Sequence, residues 1–531
     1  MAFSESIIIC ERTPKPRVGY LAITVVSELR ILWLIETVLE SSYFWYALSL
    51  LAISLLIAGG VAIAVLLYYE GTDGGRNDST GEQRRAVLRY ASVAGLSGLI
   101  GAAGGGLSLL TAFRSGDEGE RPPLPDGVTG LLLTWRRDPT TTMTVDWHTV
   151  SGRPSEARLR FRRDGNESWQ EIEGETRPFP ATTDRDGIDE RSIHRVELTD
   201  LNPGTEYRFQ FAGYDSEYRF RTMPAEISRD RPLRFATGGD TSSDPEPLRR
   251  VNEVAMEYDL DFIQWGGDFA YIDADPEQVT DWFDWFAVNK ETLVSGDGRV
   301  VPIIVAIGNH ELVDGREYYD QLNYTQTDEH RRFVAPFFYD LFAFPGQPGY
   351  GTLDFGDYLS FVILDSACSN PIVGEQTRWL EETLAARTDR PYLFTSYHHT
   401  AFPSHKDWDR QEKEELRAHW VPLFEEYEIT VALEHDDHTY KRSVPIRDGT
   451  VAEDGIRYVG DGAWGVSPRE GDNRDAWYID VFESDRHAIV VELDGSTAEF
   501  EVLNEGGRTI DEFSLDSRAS HDRVPLREGR P

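Results

Sequence analysis

The stretch "DFIQWGGDFAY", Asp261–Tyr271, decides how this chain folds. Phe262 to Trp265 carry no charge and read as a strand buried on both faces, since a half-solvated strand would alternate polar and apolar residues. Two glycines follow, allow close backbone approach, and deliver Asp268, with Tyr271 three residues on. The same arrangement recurs along the chain. "PLRFATGGD" ends in Asp240, "VPIIVAIGNHE" in Asn309, His310 and Glu311, and "PYLFTSYHHTAFPSH" in His398, His399 and His405. "ITVALEHDDH" ends in His435, Asp436, Asp437 and His438. Helical stretches such as "EPLRRVNEVAMEY" and "EQTRWLEETLAA" separate these strands, which predicts a layered α/β domain with its functional groups at strand C-termini.

A single Gly-Asp or Asn-His dipeptide is usually a turn. Five such pieces, in order, on five strand ends are a metal centre. Carboxylate, imidazole and amide donors suit hard or borderline cations, and one carboxylate can bridge two of them.

Upstream the pattern changes. From Val128 to Pro224, short alternating segments such as "TMTVDWHTV" and "EYRFRTMP" are broken by turns, which predicts a small β-sandwich. Within it "LNPGTEYRFQF" resembles the turn and Tyr-bearing strand of fibronectin type III domains. Farther upstream, Tyr43–Tyr69 is uncharged and long enough to cross a bilayer, and Tyr90–Phe113 is a second, Gly-rich uncharged run. Val18–Leu39 is apolar but carries charges, and reads as a third span or an interfacial helix. Arg76, Arg84, Arg85 and Arg89 between the two clean runs predict a cytoplasmic loop, and so a catalytic part held outside the cell membrane by a charged, Pro-rich linker. The expected division is membrane anchor 1–113, linker 114–126, fibronectin-like sandwich 127–224, catalytic domain 230–505 and tail 506–531.

The chain has 531 residues, too many for one core, and a formal charge of -39. Its five lysines are Lys15, Lys290, Lys406, Lys413 and Lys441. Such an acidic, Arg-over-Lys surface excludes nucleic acid as a scaffold partner and suits concentrated salt, pointing to a halophilic source. Cys10 and Cys368 are the only cysteines, so no disulfide framework holds the fold.

The order Asp, Gly-Asp, Gly-Asn-His-Glu, His, His resembles the calcineurin-like metallophosphoesterase superfamily. Tyr271 after Asp268, with Ser242 two residues past Asp240, narrows the likeness to the purple acid phosphatase branch. "LDFGDYLSFVILDSA" and "YVGDGAWG" are also similar to that family, and the likeness spans about Gly127 to Asn504. It implies a four-layer αββα sandwich that hydrolyses phosphate esters with a metal-activated water at a dinuclear centre. A ferric-type ion would take Asp240, Tyr271, His438 and the bridging Asp268. A divalent ion such as Mn, Zn or Mg would take Asp268, Asn309 and His398. His310 would contact the phosphate, and His405 would act as general acid.

The chain departs from the family's final Gly-His-x-His. Counted back without a gap from "TYKRS", His438 matches the second histidine, and Asp436 stands where the first would be. A carboxylate there favours harder ions such as Mn²⁺, Mg²⁺ or Ca²⁺. A local bulge bringing in His435 is the other possibility. The rival reading from another class is a surface binding or adhesion protein that keeps the fold without turnover.

Overall fold

The computed structural model describes residues 122–518, apart from 152–155, 184–185, 243, 316–326 and 461. Its first eight strands are β1 (Val128–Thr134), β2 (Met143–Val150), β3 (Arg158–Arg163), β4 (Gln170–Glu173), β5 (Glu175–Pro178), β6 (Arg191–Leu198), β7 (Glu206–Phe211) and β8 (Tyr218–Arg221). They form two four-stranded sheets, β1-β2-β6-β5 and β4-β3-β7-β8. In β3, Leu159 and Phe161 face the core while the arginines between them face outward, the period-2 alternation of a half-buried strand. Tyr207 turns its hydroxyl back to accept from the Asn202 backbone N–H at 2.8 Å, which pins the turn ahead of β7.

Two buried imidazoles lie in this sandwich. His194 bridges the hydroxyls of Thr149 and Thr176 at 2.8 and 2.9 Å, and His148 packs edge-on to Phe179 and Phe286. Burial lowers His148 well below its ordinary value and lowers His194 from 6.5 to about 4. Between those two values the unfolded chain binds the His194 proton more readily than the folded one. Stability is therefore full above 6.5 and falls as pH drops toward 4. His194→Gln, which keeps polar atoms for the two threonines but does not titrate, should flatten that part of a plot of Tm against pH. An unchanged slope would place the acid sensitivity elsewhere.

The next fifteen strands are β9 (Leu233–Gly238), β10 (Phe262–Trp265), β11 (Ile303–Val305), β12 (Gly351–Phe355), β13 (Leu359–Ile363), β14 (Tyr392–Ser396), β15 (Val431–Glu434), β16 (Tyr440–Ser443), β17 (Ile446–Arg447), β18 (Thr450–Val451), β19 (Tyr458–Gly460), β20 (Ile479–Glu483), β21 (His487–Leu493), β22 (Thr497–Asn504) and β23 (Thr509–Asp516). One sheet has the order β11-β10-β9-β21-β22-β23 and the other β12-β13-β14-β15-β19-β16-β20. Strands β9, β10 and β11 run parallel, as do β13, β14, β15 and β19. Their functional ends therefore lie together, at the C-terminal edges. Between the sheets, Phe235 stacks on Phe262 at 4.8 Å and meets Phe361 and Phe394 edgewise or tilted.

Helices cover both outer faces. Pro245–Ala255 starts at the Asp244 cap with proline in its first turn, and bonds to Val279–Thr292 through Asn252, Asn289 and Thr292. Trp282, Trp285 and Phe286 are core residues, as their helical spacing predicts. Over the second sheet, Glu375–Ala385 buries Leu380 and Leu384 with Trp420 and Phe424. The sandwich docks on the catalytic layers through the buried Arg195, which pairs with Asp146 at 2.5 Å and donates to the Leu341 carbonyl at 3.1 Å.

Two expectations change. The sheet runs on past 505, because Thr509–Asp516 pairs antiparallel with β22 in full register apart from one bulge. The membrane anchor and the outward-facing cell-membrane location are not supported. Among the described residues no helix is long and apolar enough to cross a bilayer. Their helices are short and pack one face on a sheet, the longest being Val279–Thr292 with 14 residues. The runs Val18–Leu39, Tyr43–Tyr69 and Tyr90–Phe113, on which that expectation rested, lie outside the described residues.

Candidate metal centre

Each strand end turns sharply to present its ligand. Asp240, Asp268, Tyr271, Asp436 and His438 all have left-handed backbone, with φ of 58°, 57°, 55°, 71° and 55°. Non-glycine residues seldom adopt this conformation, and where they do they cluster at functional sites. At Gly308 an added Cβ would lie 2.1 Å from Asp268 Oδ1, so only glycine lets these two loops meet.

Two groups of contacts result. In the first, Asp240 Oδ1 accepts from the Tyr271 hydroxyl at 2.6 Å and lies 2.9 Å from His438 Nε2; Tyr271 and His438 are 3.1 Å apart. Burial first, then Asp240, pushes the Tyr271 phenol well above its usual range. In the second, His398 Nε2 is 3.1 Å from Asp268 Oδ2 and 3.5 Å from Asp436 Oδ1, while its Nδ1 faces the Gly266 carbonyl at 2.9 Å. Burial opposes the charge on Asp268, but His398 and His310 outweigh it and hold the carboxyl well below its ordinary value. Asp240, Asp268 and His398 each offer a ligand atom within 4.8 Å of the others.

The donors fit two cations. Asn309 Oδ1 is buried without a hydrogen-bond partner, which is costly unless something else binds it, and His398 Nε2 is buried against the Asp268 and Asp436 carboxylates. His398 Nδ1 on a carbonyl leaves Nε2 as its outward nitrogen, the arrangement usual for a metal-binding imidazole.

His310 sits at the rim, its ring tilted against Tyr271 with centroids 4.2 Å apart and its Nδ1 2.6 Å from Asp273 Oδ1. Burial lowers its pKa, but Asp268 and Asp273 raise it more. His405 makes no contact with Asp240, Asp268 or Asp436: its Nδ1 faces Asp472 at 3.6 Å, and its backbone N–H donates to Asp437 Oδ2 at 3.0 Å. His435 packs away from them. Its ring fills the space beside Gly239 and Gly266, where a Cβ on Gly266 would come within 1.7 Å.

Three further residues organise the site. Glu311, 2% exposed, accepts the backbone N–H groups of Gly308, Asp268 and Phe269 at 2.8 to 2.9 Å and so clamps two ligand loops together. Burial, then Asp268, raises it to about 7. Asp437 accepts from Ser404 and His405 backbone and fixes the loop before Lys406. Arg469 Nη1 donates to the Asp436 carbonyl at 3.3 Å and Nη2 lies 3.4 Å from His438. The glutamate was visible in "GNHE" as one more strand-end carboxylate, but nothing in the spacing distinguishes a clamp from a ligand. No signal marks Arg469.

Residues 128–222 match the purple acid phosphatase N-terminal domain, and residues 234–433 match the calcineurin-like phosphoesterase family. The chain carries a purple acid phosphatase N-terminal domain followed by a calcineurin-like phosphoesterase domain. It is a metal-dependent phosphoric ester hydrolase. An uncharacterized protein of Mycobacterium tuberculosis is 26% identical over 407 residues, 69% of this chain and 72% of its own. Purple acid phosphatase 13 of Arabidopsis thaliana is 24% identical over 320 residues, 52% of this chain and 55% of its own. The purple acid phosphatase from yellow lupin seeds has the same fold, with TM-score 0.58 and 17% identity over 73% of this chain and 74% of that one. The structure of PhoD superposes with TM-score 0.53 and 13% identity over 72% and 91%. The purple acid phosphatase family uses a dinuclear metal centre, and the buried donors described above suit one.

Proposed function

We propose that this phosphoesterase hydrolyses phosphate esters at a dinuclear centre. Asp240, Tyr271, His438 and Asp268 would hold a ferric-type ion, and Asp268, Asn309, His398 and Asp436 a divalent one. The observation that carries the reading is the meeting of five strand ends, with Asp240, Asp268 and His398 within 4.8 Å and the buried Asn309 Oδ1 left without a hydrogen-bond partner. Asp436 rather than His435 is the ligand, because its carboxylate faces His398 while the His435 ring lies against Gly239 and Gly266. The phenol of Tyr271, set between Asp240 and His438, supports the ferric reading for the first ion.

When bound, the cations polarise the phosphoryl group and lower the pKa of a water that attacks it. His310, tethered by Asp273, presents its Nε2 edge to a phosphoryl oxygen. Arg469 adds positive charge beside His438. His405, with its backbone N–H held by Asp437 and its Nδ1 3.6 Å from Asp472, gives a proton to the departing oxygen.

The test uses phosphomonoesters and diesters with graded leaving groups and each divalent ion added in turn. Hydrolysis should disappear with a chelator. His405→Asn should slow alkyl phosphates by about 10²-fold while barely changing p-nitrophenyl phosphate, whose leaving group needs no proton. Equal losses on both substrates would remove His405 as the acid, and no turnover with any metal would remove the reading itself.

A further inference from the structure

Three of the five lysines, Lys406, Lys413 and Lys441, are buried around the loop Glu434–His438. Lys406 Nζ pairs with Asp436 Oδ1. Lys413 Nζ donates to Thr400 Oγ1 at 2.6 Å and lies 3.8 Å from Asp436 Oδ2 and 3.9 Å from Asp437 Oδ1. Lys441 pairs with Glu434 and with the Phe402 carbonyl. A chain that otherwise uses arginine keeps its compact ammonium groups here, where a point charge fits against one carboxylate oxygen and a planar fork does not.

The chemistry explains the company. A neutral imidazole at position 436 would need no counter-charge. A carboxylate buried to 1% exposure does need one, and burial's opposition to its charge is outweighed first by Lys406 and then by the neighbouring histidines. The same ammonium then stands against any cation that comes to Asp436. In a buried site, with little screening, like charges sharing one carboxylate repel strongly.

We propose that Asp436 and Lys406 act as one unit in place of a histidine, and that Lys406 lowers the affinity of the second metal subsite by sharing the Asp436 carboxylate. Lys406 is thus a positioning and charge-setting residue rather than a catalytic one. The inference rests on the dinuclear reading above. The first subsite is joined through Asp240, Tyr271 and His438 instead, so its affinity should not follow Lys406.

The experiment titrates Mn²⁺ into the metal-stripped full chain and counts bound ions by equilibrium dialysis, with circular dichroism as a folding control. The wild type should bind one ion tightly and a second weakly. Lys406→Gln keeps a donor for Asp436 but removes the charge, and should tighten the second site by about tenfold or more without changing the first. Lys406→Arg, which retains charge, should not tighten it. A second-site constant that is unchanged or weaker in Lys406→Gln would overturn the proposal, since loss of a merely supporting partner weakens metal binding. So would equal tightening by Arg and Gln. Absence of any bound Mn²⁺ in the wild type would sink the metal reading itself, whereas two ions with Lys406-independent constants would sink the lysine role alone. Asp436→His should recover a tight second site when combined with Lys406→Gln and not by itself, because alone it leaves a buried ammonium beside an imidazole.

Discussion

Asp268→Asn is expected to abolish hydrolysis, by about a thousandfold or more, and to release both cations together. The expected size follows from what the carboxylate does. It offers an oxygen within 4.8 Å of ligand atoms of both Asp240 and His398, lies 3.1 Å from His398 and 3.8 Å from His310, and its other oxygen takes the His310 backbone N–H at 2.9 Å. The amide is nearly isosteric and tolerates left-handed backbone, so the turn at φ 57° should survive. One amide oxygen can still accept from His310. What is lost is the negative charge that offsets two cations. Thermal melting near that of the wild type, with metal content near zero by elemental analysis, is the anticipated pair of results. Turnover within tenfold of wild type would remove the shared carboxylate from the mechanism.

The second large effect is on folding. Glu311→Ala should cost about 4 kcal/mol, measured by denaturant unfolding of the metal-stripped protein so that cation binding does not contribute. Three buried backbone N–H groups lose their acceptor at once, each worth roughly 1 to 3 kcal/mol when orphaned. Glu311→Gln keeps one carbonyl oxygen and should cost distinctly less. Because the clamp joins the loop of Asp268 to that of Asn309, the alanine variant should also bind metal weakly once refolded. A loss below about 1 kcal/mol would mean that the loops hold each other by other contacts.

Much of this was legible in the residue string. The layered α/β order follows from apolar runs ending in polar donors, and seven of the donors named from spacing do converge: Asp240, Asp268, Tyr271, His310, His398, Asp436 and His438. The sandwich was legible too, since alternation over β3 and β7 is a local pattern. What spacing could not convey is backbone handedness. Nothing in "GGDFAY" announces that Asp268 and Tyr271 both turn left, because φ is set by how the loop packs on Gly308 and Glu311. The lysines were counted in the composition, but their meaning is positional, and the pairing of Lys406 with Asp436 and the approach of Lys413 to Asp437 depend on a fold that joins residues 30 and 24 apart. Apolar runs near the N-terminus suggested spans, yet a run's length says nothing of where the domain beyond it resides.

Strand β23 has a practical consequence. It is the rim of its sheet, and its acidic residues Glu512 and Asp516 punctuate that rim with charge, while Asp511 turns inward to Arg442 and Tyr440. Charged rims discourage one molecule from adding its strand to another. Beneath it, Phe513 stacks on Phe500 at 4.4 Å, and β22 carries the apolar Val502 and Leu503. A chain cut at the apparent end of the catalytic domain, near Asn504, would leave the long flat edge of β22 uncovered, rich in unpaired backbone groups and apolar side chains. Such a protein would keep every metal ligand and still clump in solution. The last strand is therefore a solubility element, and the enzyme should be produced through Asp516 or beyond.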